Sequence, residues 1–228
     1  MFKAVILPAY RRHFLHRSEI HRLLVLSCGF SVLLTAARII YSGSLMFAWL
    51  NWNLFLACVP YVISGYIISK PQHIENNLRF VFLFLVWLLF IPNSFYIITD
   101  LFHLQERAPL PLWYDLALLV SFVWNGIMLG VLSVRQMEKV MCAKFQAGNE
   151  NIFVFAIMLL NAFGVYVGRY LRYNSWDVIT NPFALFQDII YLMMHPIRNR
   201  FDWAMIICYA ILMTMIYAGF RLIAKMRW

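Results

Sequence analysis

The chain has 228 residues, of which 63% are hydrophobic and only 13% charged, with a mean hydropathy of +0.72; that composition excludes a water-soluble domain and a disordered chain alike. Nineteen Lys and Arg against ten Asp and Glu give a net charge of +9, but the basic residues fall between apolar runs and no nucleic-acid-binding module is present, so no nucleic-acid partner is expected. No sustained alternation of apolar and polar residues supports an outer-membrane barrel, which leaves an all-α polytopic membrane protein forming one domain over residues 1–228.

A transmembrane helix needs roughly 20 mainly apolar residues. Six runs meet this: Leu23–Tyr41, Met46–Ile68, Phe80–Ile98, Leu112–Val134, Ile152–Leu171 and Trp203–Leu222. The first is too long for a signal peptide and lacks a small-residue cleavage site, so it is expected to stay in the mature protein. Between the last two runs, Asn181-Pro182 reads as a helix start. The spacing of Phe183, Phe186, Ile189, Ile190 and Met193 predicts a short amphipathic helix to about His195, lying in the outer interface and too short to span. Cys28, Cys58, Cys142 and Cys208 are scattered singly and read as packing residues.

Lys and Arg in short connections set orientation. Lys3, Arg11, Arg12, Arg17, Arg22, Lys70, Arg79, Arg135, Lys139, Lys144, Arg221, Lys225 and Arg227 share one side of a six-span topology. Arg38, Arg107, Arg169, Arg172, Arg198 and Arg200 lie on the other, roughly half as many. Both termini are therefore expected in the cytoplasm, and the second side outside.

Polar groups gather on that outer side. Asn93, Tyr96, Asp100 and His103 follow each other at helical spacing, and share one face if the third helix continues to His103. Pro92, just upstream, removes one backbone hydrogen bond. On the fifth run, Gly164 and Gly168 have the small-xxx-small spacing that lets helices approach closely, as do Gly126 and Gly130 on the fourth. Arg169, Arg172, Asn174, Trp176 and Asp177 follow, while Arg38 and Asp115 approach from the first and fourth runs. The middle and inner parts of the runs offer no charged residue, only Asn125, Asn161 and hydroxyls. Asn125 and Asn161 read as glue between helices. An ionisable group at membrane depth costs on the order of 3 kcal/mol, so the outer set implies either mutual pairing or a wet site.

The segments WNLFLACVPY (Trp52–Tyr61), LLFIPNSFYIITDLFHL (Leu88–Leu104), SFVWNGIMLG (Ser121–Gly130) and VGRYLRYNSWDVITNP (Val167–Pro182), in this order, resemble the bacterial integral membrane family known as domain of unknown function 1361. The resemblance runs over nearly the whole chain and implies a small multi-pass protein of a bacterial cytoplasmic (inner) membrane; it supplies no activity and no assigned residue.

The residues themselves suggest an extracytoplasmic-facing site that binds or processes an anionic or lipid-linked envelope compound, by hydrolysis or group transfer. Asp100, His103 and Asp177 are the candidate catalytic groups, a carboxylate orienting a His suited to proton transfer near neutrality. Arg38, Asn93, Tyr96, Arg169, Arg172, Asn174 and Trp176 are the candidate ligand-binding groups. No metal site is assigned, the cofactor is unknown, and membrane lipid is the expected partner. A solute transporter and a noncatalytic scaffold are the alternatives.

Overall fold

The computed structural model describes residues 2–106, 109–145 and 150–225, with side chains from Glu19 onward except that of Pro71. Of the basic residues that set the expected orientation, Lys3, Arg11, Arg12, Arg17, Arg107 and Arg227 lie outside the described side chains. Among the described residues there is no β-strand. The order is α1 (Phe2–Ser42), α2 (Trp49–Ser69), α3 (Pro71–Glu75), α4 (Asn77–Tyr96), a 3-10 turn (Ile97–His103), α5 (Leu112–Phe145), α6 (Glu150–Arg169), α7 (Asp177–Thr180), α8 (Pro182–Met194) and α9 (Arg200–Ile223).

Among the described residues, six helical stretches are long and apolar enough to cross a membrane: Glu19–Ser42, Trp49–Ser69, Asn77–His103, Leu112–Phe145, Glu150–Arg169 and Arg200–Ile223. Each coincides with one predicted run. Two faces result, one bearing α7 and α8 and one bearing α3 and the C-terminal end of α9.

Lipid tails are as apolar as leucine, so helices in a membrane associate through close packing and hydrogen bonds rather than hydrophobic transfer. The glycine pairs provide the close packing, and both act on the same stretch of α4. A Cβ on Gly126 would lie 2.6 Å from the Ser94 carbonyl oxygen, and one on Gly130 would lie 2.9 Å from the Phe95 ring. From the other side, a Cβ on Gly164 would lie 2.6 Å from Pro92 Cγ, and one on Gly168 would lie 3.3 Å from the Tyr96 ring. The stretch Pro92–Tyr96 is thus clamped between α5 and α6. Ser94 Oγ also donates to the Ala57 carbonyl of α2 at 3.0 Å.

Hydrogen bonds complete the bundle. Arg38 of α1 makes a bidentate pair with Asp115 of α5 at 2.7 and 3.0 Å, both side chains buried, with the Phe47 ring 4.4 Å from the guanidinium carbon. Asn125 Nδ2 donates to Ser31 Oγ at 2.8 Å and to the Ser27 carbonyl, so it does join helices as expected. Asn161 is buried but donates only within α6, to Met158 Sδ. Ser133 Oγ receives Trp87 Nε1 at 2.8 Å and donates to the Pro60 carbonyl, tying α4 and α2 to α5.

Three boundaries differ from the expected ones. Helix α5 continues past Val134 to Phe145, because Met137 and Val140 keep its core face buried and Glu138 is neutralised there. Glu138 accepts from Tyr217 and Arg135 and pairs with Arg221 at 3.1 Å. The expectation of no charged residue in that half of the spans is therefore corrected: Glu138 is a buried carboxylate inside a candidate span. Helix α4 ends at Tyr96 and tightens into the 3-10 turn. Helix α6 ends at Arg169 rather than Leu171, its end closed by Leu171 and Tyr173 N–H groups donating to the Tyr166 and Val167 carbonyls.

Helix α8 falls where predicted, although the Asn181 side chain makes no capping bond. It buries Leu185 and Leu192 against the bundle and leaves Phe183, Phe186, Ile190 and Met193 exposed. The apolar face seen in the sequence therefore points away from the protein, as a helix lying at a lipid interface would have it.

Candidate functional site

Three helix ends and the α6–α7 connection form a cleft of about 400 Å³ on the α7/α8 face. Helix α2 contributes Trp52, Asn53 and Leu56; α4 contributes Leu85, Leu88, Leu89, Pro92, Asn93 and Tyr96; α6 contributes Leu160, Phe163, Gly164, Val167 and Gly168. Tyr173, Asn174, Ser175 and Trp176 close the top, with Val178 and Leu185 beside them. The glycines matter directly, since larger side chains at 164 and 168 would occupy this space.

The lining divides by depth. Asn53, Asn93, Tyr96, Tyr173, Asn174 and Ser175 form a polar lip, whereas everything deeper is apolar. From Tyr96 down to Leu85 the cleft descends about 16 Å at roughly 1.5 Å per helical residue, about half of a hydrocarbon core of roughly 30 Å. Its flank is open: Leu85 and Leu160 at the deep end are 57% and 48% exposed.

The lip is held by neighbours behind it. Asn93 Nδ2 donates to the Phe90 carbonyl at 2.9 Å and to Ser175 Oγ at 3.1 Å, pinning the connection to α4. Asn53 Nδ2 donates to Asp100 Oδ2 at 3.1 Å. Arg169 Nη2 donates to the Thr99 carbonyl at 2.6 Å and Nη1 to Tyr96 Oη at 3.2 Å, while Nη1 stands 3.6 Å from Asp100 Oδ1. Asp100 is fully buried, and Oδ1 has no hydrogen-bond partner. The Arg169 charge is what makes a carboxylate tolerable there.

The connection carries its own lock. The Asp177 carboxylate receives the Asn174 backbone N–H at 2.6 Å and Thr180 Oγ1 at 2.9 Å, and these bonds hold its carboxyl below the usual range. Tyr173 Oη donates to Asp188 Oδ2 of α8 at 2.8 Å, which raises the phenol's pKa above its ordinary value.

The profile of the family described as Protein of unknown function (DUF1361) matches residues 52–216, a stretch that includes every residue lining the cleft and all four glycines of the clamp. The chain belongs to that family. No curated protein and no solved structure matches the chain.

Of the candidate residues in this DUF1361 chain, the structure brings Asn93, Tyr96, Asn174 and Trp176 together in the cleft. Asp100 and Arg169 stand directly behind it. The stripe from Asn93 to His103 is split by the change to 3-10 geometry, which has three residues per turn instead of 3.6. Asn93 and Tyr96 remain at the cleft, Asp100 turns to Asn53 and Arg169, and the His103 ring packs edge-on against Trp49 with centroids 5.1 Å apart. Arg38 is taken up by Asp115. Asp177 locks the connection. Arg172 is exposed at φ 62°, and makes no ion pair or hydrogen bond among the described residues. Sequence reasoning missed Ser175, Tyr173, Leu56, Leu85 and Leu89 as lining groups; single hydroxyls and leucines carry no spacing signal.

Proposed function

We propose that this protein binds a lipid-linked compound of the bacterial envelope in the α2/α4/α6 cleft, with the polar end at the Asn53–Asn93–Ser175 lip and the chain between the helices. The single observation that carries this is the shape and lining of the cleft: apolar through one leaflet's depth, polar at one end, and open along its flank. Small-molecule sites in proteins are clefts of about 300–1,000 Å³ with a few placed polar groups, and an opening toward lipid admits a ligand that never leaves the bilayer. A lining that reaches no deeper than Leu85 favours capture from one leaflet over passage across both.

In this reading Asp100 and Arg169 are positioning residues: they orient Asn53 and Tyr96. Hydrolysis or group transfer on the bound compound is a further step that this arrangement supports only through a residue at the lip. The excess of Lys and Arg on the opposite side supports an extracytoplasmic lip in the inner membrane.

A photoreactive residue tests the reading. Placed at Leu89 inside the cleft, it is expected to crosslink a discrete lipid species in cells, distinct from the bulk lipid captured by the same group at Ile211, which is exposed on α9. Identical products at both positions would overturn it.

A further inference from the structure

We infer that the ligand's group at the lip is uncharged and hydroxyl-bearing, a sugar or glycerol rather than a phosphate or carboxylate. The inference rests on the proposed cleft and concerns what the cleft selects.

Hydrogen-bond polarity sets what the lip accepts. Among the described residues, no charged side chain lines the cleft. Arg169, directly behind the lip, is committed to Thr99, Tyr96 and the buried Asp100 carboxylate. The amide nitrogens of both asparagines are turned toward acceptors behind the cleft. The Phe90 carbonyl takes Asn93 Nδ2, and the Asp100 carboxylate takes Asn53 Nδ2. Both asparagines therefore present Oδ1 as an uncommitted acceptor, and neither oxygen is buried out of reach.

The hydroxyls are fixed in the opposite sense. Tyr96 Oη accepts from Arg169, and Ser175 Oγ accepts from Asn93 Nδ2, so each keeps its proton to donate. Two acceptors and two donors thus stand among the lining groups. A hydroxyl donates once and accepts as well, so neighbouring hydroxyls on a sugar or glycerol satisfy this set. A phosphate or carboxylate has acceptors only, and would set its charge against two amide oxygens with no cation of its own.

Native mass spectrometry of the full chain in mild detergent tests this with two probes of identical acyl chains, monoglucosyl-diacylglycerol and phosphatidic acid, and with free glucose as competitor. The expected result is that the glucosyl lipid is held at least tenfold more tightly. Ser175→Ala, on an irregular connection where folding risk is small, is expected to lower its retention about three- to tenfold, the range of one hydrogen bond, and to leave phosphatidic acid unchanged. Phosphatidic acid held as tightly as the glucosyl lipid would overturn the headgroup assignment and leave the cleft reading standing. Unchanged glucosyl-lipid retention in Ser175→Ala would overturn the assignment to these groups. Retention of both lipids equal to that of a cleft-filling Leu89→Trp protein would overturn the cleft reading itself. Displacement of the lipid by millimolar glucose would keep the hydroxyl chemistry and identify a free sugar as its source.

Discussion

Pro92 sits on Gly164 so closely that a Cβ at residue 164 would come within 2.6 Å of the proline ring. Both the ring and the α6 backbone are rigid, so neither yields cheaply. This contact, with that of Gly126 on Ser94, sets the separation of α4 from α5 and α6, and so the width of the cleft's upper part.

Gly164→Ala and Gly126→Ala are accordingly expected to destabilise the protein by about 1–3 kcal/mol each, the usual cost of overpacking. Gly29→Ala and Gly219→Ala are the controls, since nothing lies within 4 Å of an added Cβ at either position. Thermal unfolding in one detergent compares the four; equal melting temperatures across the set would refute the clamp.

The six spans and the apolar helix α8 were legible in the sequence because lipid imposes a length and composition that single residues cannot hide. The glycine spacing was legible too, but not that both pairs grip the same five residues of α4, which depends on helix order in space. The polar stripe misled at Asp100, where a switch from 3.6 to 3 residues per turn rotates the carboxylate behind the cleft. No residue between Ile97 and His103 announces that switch. Glu138 lies beyond the predicted end of the fourth run at Val134, among Arg135, Lys139 and Lys144; Tyr217 and Arg221, which complete its site, are 79 and 83 residues away.

The Arg38–Asp115 pair links α1 to α5 in a buried setting, so removing one member strands the other. Asp115→Asn is expected to cost about 3–5 kcal/mol, whereas the double change Arg38→Met with Asp115→Leu is expected to recover most of that loss. A double change no more stable than Asp115→Asn would show that the pair itself, not its completeness, supports the helix contact.

Arg172 occupies the left-handed region at φ 62°, which costs a non-glycine residue about 1–2 kcal/mol. Arg172→Gly is therefore expected to raise the melting temperature by a few degrees, with retention of the glucosyl lipid unchanged because the guanidinium does not line the cleft. A lower melting temperature would mean that the side chain contributes more than its backbone costs.

Asp177 gives the α6–α7 connection a pH dependence with a definite sign. Its carboxyl is held below the ordinary value by the Asn174 amide and by Thr180, so the ionised form is the one the fold prefers. The stabilisation is fully present above pH about 4, the unfolded value, and is lost as pH falls through the depressed folded value. Hydrogen-exchange protection of the Asn174 amide is expected to hold from pH 7 to about 4 and to fall below it. In Asp177→Asn that acid-dependent loss should vanish; an identical loss in both proteins would assign it to another group.

The central claim is that the α2/α4/α6 cleft holds the polar end and upper chain of one amphiphile. An experimental structure in a lipid nanodisc, at a resolution that shows side chains, tests it most directly. The account predicts elongated, ordered density running from between Asn53, Asn93 and Ser175 down to Leu85 and Leu160, better defined than the lipid along the exposed face of α9. A cleft closed by its own side chains, or filled only by lipid no more ordered than that on α9, would contradict it.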